Sequence, residues 1–174
     1  MSPRHATLAQ VVAVLRDARS LCIAGHARPD GDCIGSQLGL GLALQAAGKD
    51  VTVWNEDPVP RKLAFLDPDG VVTRPQPGCR FGVAVALDCA AHDRLGAAAA
   101  SIGARGILLN VDHHASNTLY GDLNWIVPEV PSTGELVLQI LQAAGWSISP
   151  QVADGLFTAI STDSGSFQYP STTP

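Results

Sequence analysis

Asp112, His113 and His114 stand side by side in the stretch Asn110-Val111-Asp112-His113-His114-Ala115-Ser116-Asn117, directly after the apolar run Gly106-Ile107-Leu108-Leu109. The run reads as a buried strand. Three adjacent ionisable side chains do not belong in a strand interior, because burying unpaired polar groups costs free energy. The triplet is therefore expected where the strand ends and a cleft opens. A capped strand end with surface histidines is the plain alternative.

Two other apolar runs end in the same way. Leu21-Cys22-Ile23-Ala24 leads into His26, and Phe81-Gly82-Val83-Ala84-Val85-Ala86-Leu87 leads into Asp88. Asp30 and Asp32 lie just past the first of these ends. Asp163 follows a helical stretch that can return it to the same edge. In an open parallel sheet, ligands bind outside the carboxyl ends of the strands, so these segments are expected to converge. The set is then His26, Asp30, Asp32, Asp88, His113, His114 and Asp163, with Asp112 behind them. So many carboxylates cannot gather without counter-charge, or they would take up protons. Divalent cations supply that charge. Mixed imidazole and carboxylate ligands suit Mn²⁺, Fe²⁺ or Zn²⁺ better than Mg²⁺, which prefers oxygen. The set is too large for one ion, so two ions sharing a carboxylate are expected. Ions paired about 3.5–4 Å apart clamp a nucleophilic oxygen and a phosphoryl oxygen in line.

Each residue also has an ordinary explanation. Asp30 and Asp32 flank Gly31 and could simply form a turn. Asp88 could cap a helix, and Asp163 could mark a helix exit. Cys33 and Cys89 neighbour the set and read as small apolar filler. Ser36 is expected near a helix start, either as a cap or offering phosphate-binding groups to substrate. Gly39-Leu40-Gly41 lies inside a helical pattern, which argues against a dinucleotide-binding turn.

The elements that position these residues follow from periodicity. A helix is expected over 6–18, with Thr7 as its cap. A strand over 21–24 is followed by an irregular loop over 27–32, broken by Pro29 and Gly31. A helix over 36–47 follows, then a strand over 51–54 and a short helix over 61–66. Residues 67–80 read as irregular. The strand over 81–87, apolar on both faces, suits the centre of a parallel sheet. An alanine-rich helix over 93–102 precedes the 107–111 strand, and 123–127 reads as an edge strand. Ser132-Thr133-Gly134-Glu135 fits a capping box for a helix reaching Gly145, and Pro150 opens the last helix. Alternating strands and helices predict an α/β fold, a parallel β-sheet with helices on both faces. The end, Tyr169-Pro170-Ser171-Thr172-Thr173-Pro174, reads like the beginning of a further helix, as if the sequence were part of a longer chain.

Composition bounds the function. The chain has 174 residues, 46% apolar and 16% charged, enough for one domain with a sizeable core. Its net charge of −5 gives no general attraction for nucleic acid, so a nucleotide must be held by a local site or by bound metal. Cys22, Cys33, Cys79 and Cys89 form no paired motif and suit reduced thiols in a cytoplasmic protein. No run is long enough to span a membrane. A homodimer is compatible with the pattern but not required by it.

His26-Ala27-Arg28-Pro29-Asp30-Gly31-Asp32-Cys33-Ile34-Gly35-Ser36 resembles the first motif of the DHH phosphoesterase family. Asp88 resembles the second, Asp112-His113-His114 the third that names the family, and Thr162-Asp163-Ser164-Gly165 the fourth. All occur in the family's order and cover almost the whole chain. The resemblance implies a Rossmann-like catalytic domain over 1–174 that uses two Mn²⁺ ions. It implies that His26, Asp30 and Asp88 hold one ion, and that Asp32, Asp88, His113 and Asp163 hold the other. It further implies a bridging hydroxide as nucleophile, His114 facing the substrate phosphate, and Asp112 steadying the histidines. Motif spacing and the Phe167-Gln168-Tyr169 segment are most similar to the oligoribonuclease and pAp-phosphatase branch. That branch implies as substrates short RNA oligonucleotides, linear dinucleotides such as pApA, or 3′-phosphoadenosine 5′-phosphate (pAp). The family's second, substrate-binding lobe is not in this sequence. A manganese-type inorganic pyrophosphatase and a non-catalytic nucleotide-binding module are the other readings. With only Lys49 and Lys62 as lysines, the chain offers little to grip pyrophosphate.

Overall fold

The computed structural model describes residues 5–170 and 172. Of the 169–174 end, expected to begin a further helix, Ser171, Thr173 and Pro174 lie outside the described residues. Six strands form one parallel sheet: β1 (Ser20–Ala24), β2 (Asp50–Trp54), β3 (Val72–Thr73), β4 (Phe81–Leu87), β5 (Arg105–Asp112) and β6 (Leu123–Ile126). Their spatial order is β3-β2-β1-β4-β5-β6. The chain builds outward from β1 in one direction, then restarts at β4 and builds outward in the other. The crevice of such a sheet opens at the switch point, between β1 and β4. Register aligns the strand ends there: Ala24 pairs with Ala86, and Leu87 with Val111.

Successive residues of a strand face opposite sides, so apolarity on both faces means helices on both. Leu21, Ile23, Val83, Val85 and Leu87 pack with residues of α1 (Leu8–Asp17), α2 (Gly31–Ala46), α4 (Thr133–Ala144) and α5 (Pro150–Asp163). Cys22, Ala24, Ala84 and Ala86 pack on the other side, against Leu95 and the short α3 (Ala97–Ser101). A third cluster joins Ile34 and Leu38 of α2 to Leu63 and Leu66 of a 3-10 helix over Arg61–Leu66.

Antiparallel packing of α2 and α5 sets the depth of the site. A methyl group on Gly35 would overlap the Gly155 carbonyl oxygen, and one on Gly31 would overlap the Thr162 side chain. The two backbones therefore touch, and the start of α2 meets the end of α5.

Three expectations need correction. The 27–32 loop is shorter than predicted, because α2 begins at Gly31 rather than Ser36. Asp30 caps it by accepting a hydrogen bond from the Cys33 N–H at 3.1 Å. The 93–102 helix is interrupted. A 3-10 turn over His92–Leu95 stops at Gly96, φ 57°, and α3 begins afresh where Glu56 accepts from the Ala97 N–H at 2.8 Å. Residues 67–80 include β3, a two-residue strand. Asp67 orders the turn before it, accepting from the Val71 and Val72 N–H groups.

Candidate metal centre

The expected residues converge at the carboxyl edge, from five separate segments. His26 follows β1, Asp30 and Asp32 open α2, Asp88 follows β4, His113 and His114 follow β5, and Asp163 ends α5. His26 Nδ1 lies 2.9 Å from the Ala27 carbonyl, which can only accept, so this nitrogen carries the proton. Its Nε2 is left facing Asp88 Oδ2 at 3.4 Å and Asp30 Oδ2 at 3.7 Å. His113 repeats the device. Nδ1 sits 3.3 Å from the Val130 carbonyl, and Nε2 faces Asp163 Oδ2 at 3.1 Å, Asp32 Oδ2 at 3.7 Å and Asp88 Oδ1 at 3.7 Å. Both imidazoles thus commit Nδ1 to a carbonyl and turn Nε2, the nitrogen a cation would take, toward carboxylates.

Asp88 lies between them. Its Oδ2 faces His26 and its Oδ1 faces His113. It caps no helix: its φ of 54° puts it in the left-handed region, which aspartate tolerates better than most residues. Strain of this kind is held at sites where the side chain must point one way. Asp32 sits under the start of α4. The Thr133 N–H donates to its Oδ2 at 2.7 Å, the Gly134 N–H to its Oδ1 at 2.8 Å, and Ser36 Oγ to its Oδ1 at 3.0 Å.

The buried charges fit a cation and fit poorly without one. Burial pushes the Asp32 carboxyl well up, and neighbouring Asp88 adds to it. Burial also raises Asp88, against the hydrogen bond from His26. Burial would lower His113, but Asp163, Asp32 and Asp88 overcome it and push it up to about 9. Positive charge is thus favoured among these carboxylates. His113 Nε2 is buried with no aligned hydrogen-bond partner, the mark of a donor atom awaiting one. Asp88, His113 and His114 bring ligand atoms within 4.8 Å of one another, and so do Asp32, His113 and Asp163. Imidazole nitrogens with carboxylate oxygens are a donor set for a first-row divalent ion.

Residues 20–160 match the family model described as the DHH family, N-terminal domain. The chain belongs to the DHH family. It is 36% identical over 156 residues to the bifunctional oligoribonuclease and PAP phosphatase NrnA of Thermus thermophilus, covering 87% of this chain and 45% of that protein. To the NrnA of Bacillus subtilis it is 28% identical over 152 residues, covering 85% and 47%. The chain spans about half the length of the curated relatives it matches. Among solved structures, an exopolyphosphatase-related protein from Bacteroides fragilis superposes with a TM-score of 0.86 at 25% identity, over 95% of this chain and 52% of the other.

Within this DHH chain, the triplet divides its labour. Asp112 is fully buried and accepts three hydrogen bonds: from His114 Nδ1 at 2.7 Å, the His113 N–H at 2.9 Å and Asn117 Nδ2 at 2.6 Å. The pair holds Asp112 below the usual carboxylate range despite burial, and the bond to Asp112 raises His114. With Nδ1 committed, His114 has Nε2 left for another partner, and its side chain is 36% exposed.

Ser36 does not behave as expected. It is fully buried inside α2 and bonds Asp32, so it does not cap the helix. Cys33 offers Sγ near His26 and Asp88, but burial pushes its thiol up to about 12 and it packs against Asn55 and Gln37. It remains filler.

Several supporting groups escaped the sequence. Thr133 donates its hydroxyl to Asp88 Oδ1 at 3.2 Å. Asn55 donates to the His26 carbonyl at 3.2 Å, fixing the loop from behind. Asn117 and the Ala27 and Val130 carbonyls orient candidate ligands in the same way. Ser132 does cap α4, accepting from the Glu135 N–H at 3.2 Å, but nothing in that pattern showed that Asp32 would lie beneath.

Proposed function

We propose that this chain is the metal-holding lobe of a phosphoester hydrolase acting on short oligoribonucleotides, linear dinucleotides such as pApA, or pAp. The observation that carries the reading is Asp88, whose two oxygens face two separate imidazoles. That arrangement supports two cation sites sharing one carboxylate. His26, Asp30 and Asp88 would hold one ion; Asp32, Asp88, His113 and Asp163 would hold the other. The mixed donor set suits Mn²⁺. Divalent cations bound there supply Lewis acidity, lowering the pKa of a water and neutralising charge on phosphoryl oxygens.

The protein's own groups do the rest. Ala27 and Val130 fix the tautomers that leave Nε2 free on His26 and His113. The α4 N-terminus steadies Asp32 as an anion through two backbone N–H groups. Asp112 keeps His114 protonated to higher pH, so His114 Nε2–H can donate to a phosphoryl oxygen or to the departing alkoxide. The names and activities of the NrnA relatives support nucleotide substrates, since these share 36% and 28% identity with the chain.

The test is Mn²⁺-dependent phosphate release from pAp and mononucleotide release from pApA, with pyrophosphate as comparator. The reading expects turnover of a nucleotide substrate, abolished by Asp88→Ala. Pyrophosphate cleavage without nucleotide cleavage would contradict the substrate class. Undiminished turnover by Asp88→Ala would contradict the shared carboxylate.

A further inference from the structure

Beside the start of α2 lies a cavity of about 220 Å³, lined by Asp30, Gly31, Lys62, Leu63, Thr162 and Asp163. It abuts the open edge of the cation cluster. Asp30 and Asp163 have side chains 57% and 34% exposed, whereas those of Asp32 and Asp88 are 1% and 3% exposed. The wall opposite is the 3-10 helix over Arg61–Leu66, anchored by buried Leu63 and Leu66 against Ile34 and Leu38. A packed turn therefore holds Lys62 at the cavity.

The chemistry described above does not use this lysine. The other lysine, Lys49, is structural: its Nζ donates to the Arg16 and Ala18 carbonyls at 2.7 Å each. Among the described residues, Asp30 and Asp163 pair with His26 and His113 rather than with Lys62. Were Asp30 and Asp163 turned toward divalent cations, those cations would stand on one side of the cavity and Lys62, which also lines it, on another. An anion between them would be attracted from both sides. On the proposed function, the reacting phosphoryl group would lie deeper, beside Asp88 and His114. An anion at the rim is therefore a different one.

We propose that Lys62 binds a second phosphate of the substrate and so selects nucleotides carrying two phosphates one nucleoside apart. This deepens the nucleotide-hydrolase reading and rests on it. Both a nucleoside 3′,5′-bisphosphate and a 5′-phosphorylated dinucleotide have that chemistry. Lysine recognises it as a point charge, without demanding one phosphate geometry.

Binding tests the proposal independently of turnover. The chain with Mn²⁺ would be titrated calorimetrically with the hydrolysis-resistant bisphosphonate analogue of adenosine 3′,5′-bisphosphate and with adenosine 5′-phosphonate. Lys62→Ala should weaken the first at least tenfold and the second less than twofold, and Lys62→Arg should restore the first. A phosphorothioate-linked pApA analogue identifies the source. A matching tenfold loss extends the subsite to oligonucleotides, and a loss confined to the bisphosphonate restricts it to nucleoside bisphosphates. Equal losses for the one- and two-phosphate ligands, no loss for either, or no binding by the unaltered chain would overturn the proposal. Lys62-dependent binding without any turnover of pAp would instead leave the subsite standing and remove the hydrolase reading.

Discussion

His114 and His113 are neighbours in sequence with different surroundings, and the difference is testable. His113 Nδ1 is held by a carbonyl and its Nε2 joins the carboxylates, while His114 Nδ1 is held by Asp112. Replacing His114 with Gln should lower kcat by about 10²–10⁴-fold, the usual range for losing a positioned proton donor. Metal content should stay unchanged, as measured by elemental analysis; loss of metal would make His114 a ligand instead. His113 gives a pH dependence. Without a cation its carboxylate neighbours push it up to about 9, so a cation must displace a proton to bind. Apparent Mn²⁺ affinity should therefore rise from pH 6.5 toward pH 9 and level off above. The sign reverses for metal-free stability. A raised imidazole pKa stabilises the fold below its unfolded value and loses that contribution as pH climbs through about 9. Calorimetric titrations at several pH values read the first effect, and flat or falling affinity would contradict it.

At the scale of elements, the α2–α5 contact connects packing to chemistry. Gly35 and Gly155 let two backbones touch, which brings Asp163 to Asp32 and His113. Gly35→Ala must push the helices apart. The expected cost is about 1–3 kcal/mol of stability, as for other overpacked contacts. Because Asp163 rides on α5, metal affinity should fall too, with pAp turnover falling in step. Thermal unfolding with and without Mn²⁺ separates the two, and a shift in stability with unchanged metal affinity would break the link. Elements of this kind were legible only in part. Strand ends were clear because an apolar run must stop before Asp88 or Asp112 can be charged. The start of α2 was misplaced because Pro29 and Gly31 signal a turn, whereas Asp30 caps the helix with its own carboxylate. The break at Gly96 depends on Glu56, some forty residues away, and no local pattern contains it. Ser36 was placed at a helix start for the same reason: its partner became visible only once α2 was seen to begin at Gly31.

For the molecule as a whole, the doubly wound sheet explains how residues spread from His26 to Asp163 form one cluster. Strands β1, β4 and β5 deliver three of the segments, and two helix termini deliver the rest. The candidate cluster was readable in the sequence because its residues lie at or beside the ends of regular elements. The supporting groups were not, because Thr133, Asn55 and Asn117 act only through the folded arrangement. Among the described residues no helix is long and apolar enough to cross a membrane. The most direct test of the central claim is Mn²⁺ stoichiometry on the chain, by elemental analysis after gel filtration at pH 8. The account predicts two ions per chain, falling to one or none in Asp88→Ala. No bound ion, or two ions retained in Asp88→Ala, would contradict it.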